Sequence, residues 1–257
     1  MTSLKINHFS NILSMNMDCR LLLPDMLSET EAPLKVLFLC HGGSGNENEW
    51  LYHSTIAQLP DTYHIAVVMV NADDSCFVDM PFGKNYGTYI GSELPQILYR
   101  MFPRLSDARE DNYISGLSNG GYGCFIVGLK NPERFAAIGA FSAGDKADAT
   151  PKPYPPGTLN PRVRMFGQVD IRQTEYSMKY LARKTAKTPG AKPRIYHACG
   201  SLDPWLDLNL AVRDCMAEIA CAEYDYTYHQ AEGLGHEWKF WDLEIRNFLD
   251  YCGIEKI

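Results

Sequence analysis

The strongest constraint on this chain is the pentapeptide Gly116-Leu117-Ser118-Asn119-Gly120, because of what stands on either side of it. Tyr113-Ile114-Ser115 before it reads as a short buried strand, and Gly120 to Lys130 after it is small and apolar, as a buried helix would be. A G-x-S-x-G sequence alone matches many Gly/Ser-rich turns. The strand–turn–helix context is far more specific, because it describes a tight bend that lifts a serine out of a sheet. Such a bend holds the serine in a strained backbone geometry, and glycines on either side let neighbouring chains approach. Ser118 would also stand at a helix N-terminus, whose dipole and free N–H groups favour developing negative charge. A βα turn with an idle serine would satisfy the same pattern.

The rest of the chain supplies the sheet such a bend requires. Val36 to Cys40 is a continuous apolar run, as expected of a parallel strand covered on both faces. His64 to Val70, Ala136 to Phe141, Arg194 to Ala198 and Tyr224 to Gln230 repeat the signal, and Ile6–Ser10 and Met15–Leu23 read as two strands joined by a turn at Asn11. Pro24 to Pro33 is a polar loop. Helical spacing is expected over Glu93–Phe102, Gly120–Lys130, Leu206–Ala220 and Glu237–Cys252, the last presenting Trp238, Trp241, Ile245, Phe248 and Leu249. Strand alternating with helix predicts an α/β fold with a mostly parallel central sheet and helices on both faces. Ligand sites in such sheets lie at the carboxyl ends of the strands. One stretch breaks the rhythm: Asp145 to Lys192, rich in proline and polar residues with a helical part near Glu175–Thr185, is expected to be an excursion over the site, a partial lid.

Composition narrows the partners. The 257 residues suit one α/β domain spanning 1–257. A net charge of −7 without a basic stripe disfavours nucleic acid and anionic membranes, leaving a small-molecule ligand, with a homo-oligomer compatible with the chain. The N-terminus shows no basic start followed by an apolar core, and no apolar run reaches about 18 residues, so neither a signal peptide nor a membrane span is expected. Eight scattered cysteines without a C-x-x-C pair point to buried thiols and a reducing, cytoplasmic compartment.

A serine at its free pKa is a poor nucleophile and needs a base. Of the seven histidines, His236 lies in Glu232-Gly233-Leu234-Gly235-His236, a loop leaving the last strand just before the last helix. His197 and His229 fall within strands and read as structural. The acid that orients the histidine should leave the preceding strand, and Cys199-Gly200-Ser201-Leu202-Asp203-Pro204 places Asp203 there. Asp207 lies in the following helix and Asp170 comes too early, while a turn or helix-capping aspartate is the rival role for Asp203. His41-Gly42-Gly43-Ser44-Gly45 directly follows the first buried strand, so the amides of Gly43 and Asn119 are the expected oxyanion donors. That glycine run matches neither phosphate-loop pattern, and His41 has no ligand-spaced partner for a metal. No metal or other cofactor is called for. Trp50, Tyr122 and Trp205 fit equally the wall of a pocket and the packed core.

These stretches resemble the α/β-hydrolase serine esterases that include tributyrin esterases, S-formylglutathione hydrolases, feruloyl and acetylxylan esterase domains and mycolyltransferases. The similarity is carried by Leu39 to Gly45, Tyr89 to Pro95, Gly116 to Gly123, Cys199 to Asn209 and Gly233 to Trp241, and is nearest to the tributyrin-esterase-like group. The resemblance implies a Ser118–His236–Asp203 triad, an acyl-enzyme intermediate, and short-chain acyl esters, acetylated or feruloylated sugars among them. It departs from the family at Asn119, where such elbows often carry methionine. An acyltransferase using the same triad, or a carbohydrate-binding protein without catalysis, would share these features. Product analysis with added acceptors separates the first, and the absence of a burst with activated esters the second.

Overall fold

The computed structural model describes residues 1–25, 32–150 and 160–257, with the backbone alone for 220–223. Most of the loop expected at 24–33, and residues 151–159 of the excursion, lie outside them. Eight strands form one sheet in the order β1-β2-β4-β3-β5-β6-β7-β8. They are β1 Thr2–Ser10, β2 Met15–Leu23, β3 Lys35–Cys40, β4 Ile65–Val70, β5 Asn112–Leu117, β6 Ala137–Phe141, β7 Arg194–Gly200 and β8 Tyr226–Ala231. β1 and β2 pair antiparallel, as do β2 and β4, and every pairing from β4 through β8 is parallel. The α/β architecture with a mostly parallel sheet therefore holds.

Helices fill the connections: α1 Glu49–His53, α2 Leu59–Tyr63, α3 Tyr86–Thr88, α4 Leu94–Met101, α5 Asn119–Lys130, α6 Pro161–Phe166, α7 Met178–Ala186, α8 Leu206–Glu223 and α9 Trp238–Tyr251. The pleat divides each central strand between two cores. In β3, Val36, Phe38 and Cys40 join the core that receives α5, whereas Leu37 and Leu39 face the one that receives α9. Each fully buried Phe or Leu contributes about 1.5–3 kcal/mol. The helix α5 is buried along ten consecutive residues, Gly120 to Leu129, which is why it has no polar face in the sequence. Of the stripe expected on the last helix, Trp241, Ile245, Phe248 and Leu249 are buried.

Departures from the sequence expectation lie at boundaries and in short elements. His64 is not in β4. It caps α2 in the left-handed region, φ +50°, and so ends that helix before the strand begins. α1, α2 and α3 are too short to display a helical period. Within the excursion, α7 lies close to the helix expected at Glu175–Thr185, and α6 is additional.

His197, inside β7, is fully buried with Nε2 3.0 Å from Asn209 Oδ1 and Nδ1 3.1 Å from the Tyr226 hydroxyl. Burial drives its pKa down to about 4, against 6.5 in the unfolded chain. As the pH falls, the unfolded chain takes up this proton first. Stability is therefore complete above about 6.5 and is lost between 6.5 and about 4, by about 3 kcal/mol. Urea unfolding at pH 7 and pH 4.5 checks this: His197→Gln should flatten the difference by about that amount, and an unchanged difference would exclude His197 as its source.

Candidate active site

Four neighbouring parallel strands, β4, β3, β5 and β6, release their chains at the same end of the sheet, and each exit carries a non-glycine residue with positive φ. These are Cys76 at +52°, Ser44 at +60°, Ser118 at +54° and Ser142 at +51°. Each such conformation costs about 1–3 kcal/mol and persists only where its surroundings dictate it. Ser118, with ψ −116°, is the residue between β5 and α5. Its amide donates to Phe141 O at 2.8 Å and its carbonyl accepts from the Tyr122 amide at 3.0 Å, so the bend is fixed to the end of β6 and to its own helix.

The flanking glycines are required by contact. A Cβ on Gly116 would come 2.6 Å from the Gly120 carbonyl, and one on Gly120 would come 2.3 Å from the His41 carbonyl. The serine bend and the His41–Gly45 loop are thus pressed backbone to backbone. A Cβ on Gly43 would lie 2.8 Å from Asn119 Nδ2, which places the two expected oxyanion residues beside each other. Being the first residue of α5, Asn119 has an N–H with no acceptor inside the helix. His41 is a structural residue of this loop. Buried against Phe77, it approaches the Gly42 carbonyl through Nδ1 at 2.6 Å and accepts from the Ala72 amide through Nε2 at 3.2 Å, and burial holds its pKa down.

On the far side, His236 Nδ1 lies 2.8 Å from Asp203 Oδ2. Asp203 leaves β7 and is nearly inaccessible, and its Oδ1 accepts from the Trp205 amide at 2.9 Å. It therefore serves both roles the sequence allowed, the turn aspartate and the partner of His236. Burial pushes the Asp203 carboxyl up, but hydrogen bonds from His236, the Trp205 amide and the Ser142 hydroxyl outweigh it, and the net shift is downward. The carboxylate stays ionised beside the imidazole. Trp205 and Trp241 pack edge-on against the His236 ring, with centroids 4.7 and 4.9 Å away.

A cleft of about 480 Å³ opens over these strand ends, lined by Ser118, Asn119, Ser142, Trp205 and residues of the excursion from Lys146 to Phe166. The described parts of the excursion form one wall of it. Ser118 shares this cleft with Trp205 and Ser142, both of which touch the Asp203–His236 pair. Trp205 is half-exposed at the rim. Trp50 and Tyr122 are core residues instead: the Trp50 indole donates to Cys40 O and the Tyr122 hydroxyl to Tyr176 O. His229, in β8, is tied to the buried Glu244 of α9 at 3.0 Å, and belongs to the scaffold.

Two residues at the site escaped the sequence. Ser142 accepts from the Trp241 indole at 3.1 Å, and its hydroxyl helps hold the Asp203 carboxyl down, linking α9 to the acid through the exit of β6. Its one legible signal is position, the first residue past a parallel strand. Lys146, whose Nζ lies 2.6 Å from Asn119 Oδ1, had none. Among the described residues, no group of three or more His, Cys, Asp or Glu side chains could hold a metal, and no helix is long and apolar enough to cross a membrane. The seven described cysteines are free, and burial pushes the thiol of Cys76, which lines the cleft, up to about 11.

Residues 10–249 match the esterase family model described as "Putative esterase". The chain is 31% identical to an acetyl esterase of Caldicellulosiruptor saccharolyticus, over 98% of each protein. Among solved structures it is similar to the fluorophosphonate-binding serine hydrolase F of Staphylococcus aureus, determined with substrate bound, at a TM-score of 0.84 and 26% identity over 98% of both chains. It is also similar to an S-formylglutathione hydrolase of the same organism, at a TM-score of 0.82 and 26% identity over 98% of both chains. With a match of this extent, the chain belongs to this esterase family and is a carboxylic ester hydrolase of the α/β-hydrolase fold.

Proposed function

We propose that residues 1–257 form one catalytic domain that hydrolyses short-chain acyl esters, acetyl esters first, with Ser118 as nucleophile, His236 as general base and Asp203 as the acid that orients it. The observation that carries this is the backbone of Ser118, a non-glycine residue at φ +54°, ψ −116° between a buried strand and a buried helix, in a cleft whose Trp205 packs on the His236 of the Asp203–His236 pair. Strain of that kind needs a purpose, and exposing a hydroxyl at the top of the sheet is one.

In this mechanism Ser118 Oγ attacks the ester carbonyl while His236 takes its proton. Asp203, kept ionised by its hydrogen bonds from His236 and the Trp205 amide, holds Nδ1–H and stabilises the imidazolium that forms. The amides of Gly43 and Asn119 receive the oxyanion, and loss of one such donor costs about 10²–10³ in turnover. His236 then protonates the departing alcohol, and water attacks the acyl-enzyme by the same route. The acetyl esterase relative supports acetyl groups as the acyl part, and free thiols support a reducing, cytoplasmic setting.

A fluorophosphonate probe should label the protein at Ser118 and block hydrolysis of p-nitrophenyl acetate in step with labelling. A panel from acetate to octanoate should then show the highest kcat/KM at the short end. Labelling at another residue, or none with an active preparation, overturns the assignment.

A further inference from the structure

We propose that the cleft over Ser118 is shaped for esters that carry a carboxylate, held by Lys146 and Arg162; this rests on Ser118 being the nucleophile and specifies what its cleft selects.

The cleft contains three charged side chains, Asp74, Lys146 and Arg162. Asp74 is already partnered by Arg164, which reaches its carboxylate at 3.5 Å and its carbonyl at 3.1 Å. The two cations are not matched in this way. Lys146 Nζ donates to the neutral Asn119 Oδ1 and lies 5.7 Å from the centre of the Tyr122 ring. Arg162 donates through one Nη to the Lys146 carbonyl at 2.8 Å, with its guanidinium 5.7 Å from the centre of the Phe166 ring. Neither forms an ion pair with a carboxylate among the described residues. The acids nearest in sequence are committed elsewhere: Asp145 accepts from Ser177 and from the amides of Ala147 and Lys179, and Asp148 pairs with Lys179 at 2.7 Å.

Two cations therefore line one concave, half-buried wall without an ion-pair partner among the described residues, in a chain whose net charge is −7; Asp170, whose charge reaches Arg162, is bound by Arg172 at 2.6 Å. Holding like charges together away from bulk water is unfavourable, and an anion placed between them removes that cost. Hydrogen bonds from lysine and arginine to a carboxylate are the strong, charge-assisted kind, and a concave positive site also raises the local concentration of anions. The tether from Lys146 to Asn119 ties the ammonium to the residue that follows Ser118, so the carboxylate it meets belongs to the substrate whose ester is under attack. The residue after Ser118 thus presents an amide that holds a cation in place. No new bond-making step is required: the carboxylate is retained through attack and release.

Two matched substrate pairs test this, each read as the ratio of kcat/KM for the charged over the neutral member. The 4-nitrophenyl monoester of adipic acid against 4-nitrophenyl hexanoate reports on the acyl side, and 4-acetoxybenzoate against 4-acetoxybenzamide on the alcohol side. At low salt the ratio should exceed about 10 in at least one pair and fall toward 1 at 0.5 M NaCl, as screened attraction requires. Lys146→Met and Arg162→Gln should each cut that ratio about threefold or more, and because a ratio is read, any general loss of activity divides out. Ratios below about 10 in both pairs for the wild-type protein, with p-nitrophenyl acetate still hydrolysed, overturn the carboxylate subsite alone, and so does a high ratio that survives both substitutions. Failure to hydrolyse p-nitrophenyl acetate at all, with no fluorophosphonate labelling, would instead remove the underlying assignment of Ser118.

Discussion

Replacing Ser118 by alanine is expected to lower kcat for p-nitrophenyl acetate by roughly 10⁴-fold or more, with thermal unfolding within about 2 °C of the parent protein. The activity loss follows from the proposed mechanism, in which Ser118 Oγ is the attacking atom and forms the acyl-enzyme. The small stability change follows from what the bend uses. Its hydrogen bonds, Ser118 N–H to Phe141 O and Tyr122 N–H to Ser118 O, are main-chain bonds that alanine keeps. Alanine also keeps the Cβ, so the strain at φ +54° is unchanged. Ser118→Gly should separate the two effects. It is equally inactive, yet relief of the backbone strain should leave it about 1 kcal/mol more stable to urea than the alanine variant. Full esterase activity in the alanine protein would end the proposal, and a large loss of stability would mean that the serine is structural.

The sequence made the sheet and its motifs legible because both are local patterns. A run such as Val36 to Cys40 is apolar throughout because each face of β3 meets a different core. The two glycine-bearing bends and the His236 loop were readable for a related reason: each lies at a strand exit, and a strand exit can be located without knowing the order of the sheet. What stayed hidden is what depends on side chains meeting across long separations. The Trp241 indole reaches Ser142 across 99 residues. Lys146 reaches Asn119 across 27, from a segment with no regular period. Neither contact leaves a trace in spacing, because neither is produced by a repeating geometry. His64 shows a different limit. It is apolar enough in context to extend the run that follows, but its left-handed conformation, which closes α2, is a property of the chain path and cannot be read from residue type.

The close contact between the two bends yields the prediction with the largest expected effect on stability. Gly120→Ala should destabilise the protein by about 3–5 kcal/mol and lower kcat by at least about 10²-fold in whatever fraction remains folded. The added methyl would sit 2.3 Å from the His41 carbonyl oxygen and 2.7 Å from that of Cys40, both backbone atoms. A flexible side chain could turn away, but these cannot. Cys40 is the last residue of β3, fixed in register against Gly116 of β5 by the parallel ladder. The clash can be relieved only by moving α5 away from the His41–Gly45 loop, and that separates the amides of Gly43 and Asn119, the proposed joint donors to the oxyanion. Stability and turnover should therefore fall together. Gly253→Ala is the control: its φ of +72° strains any side chain, but a Cβ there meets nothing within 4 Å. It should cost roughly 1 kcal/mol and leave kcat unchanged. Urea unfolding and p-nitrophenyl acetate turnover of the two variants read both quantities. A Gly120→Ala protein with parental stability and parental kcat would show that the two bends do not touch, and the assignment of Gly43 and Asn119 as joint oxyanion donors would fall with that contact.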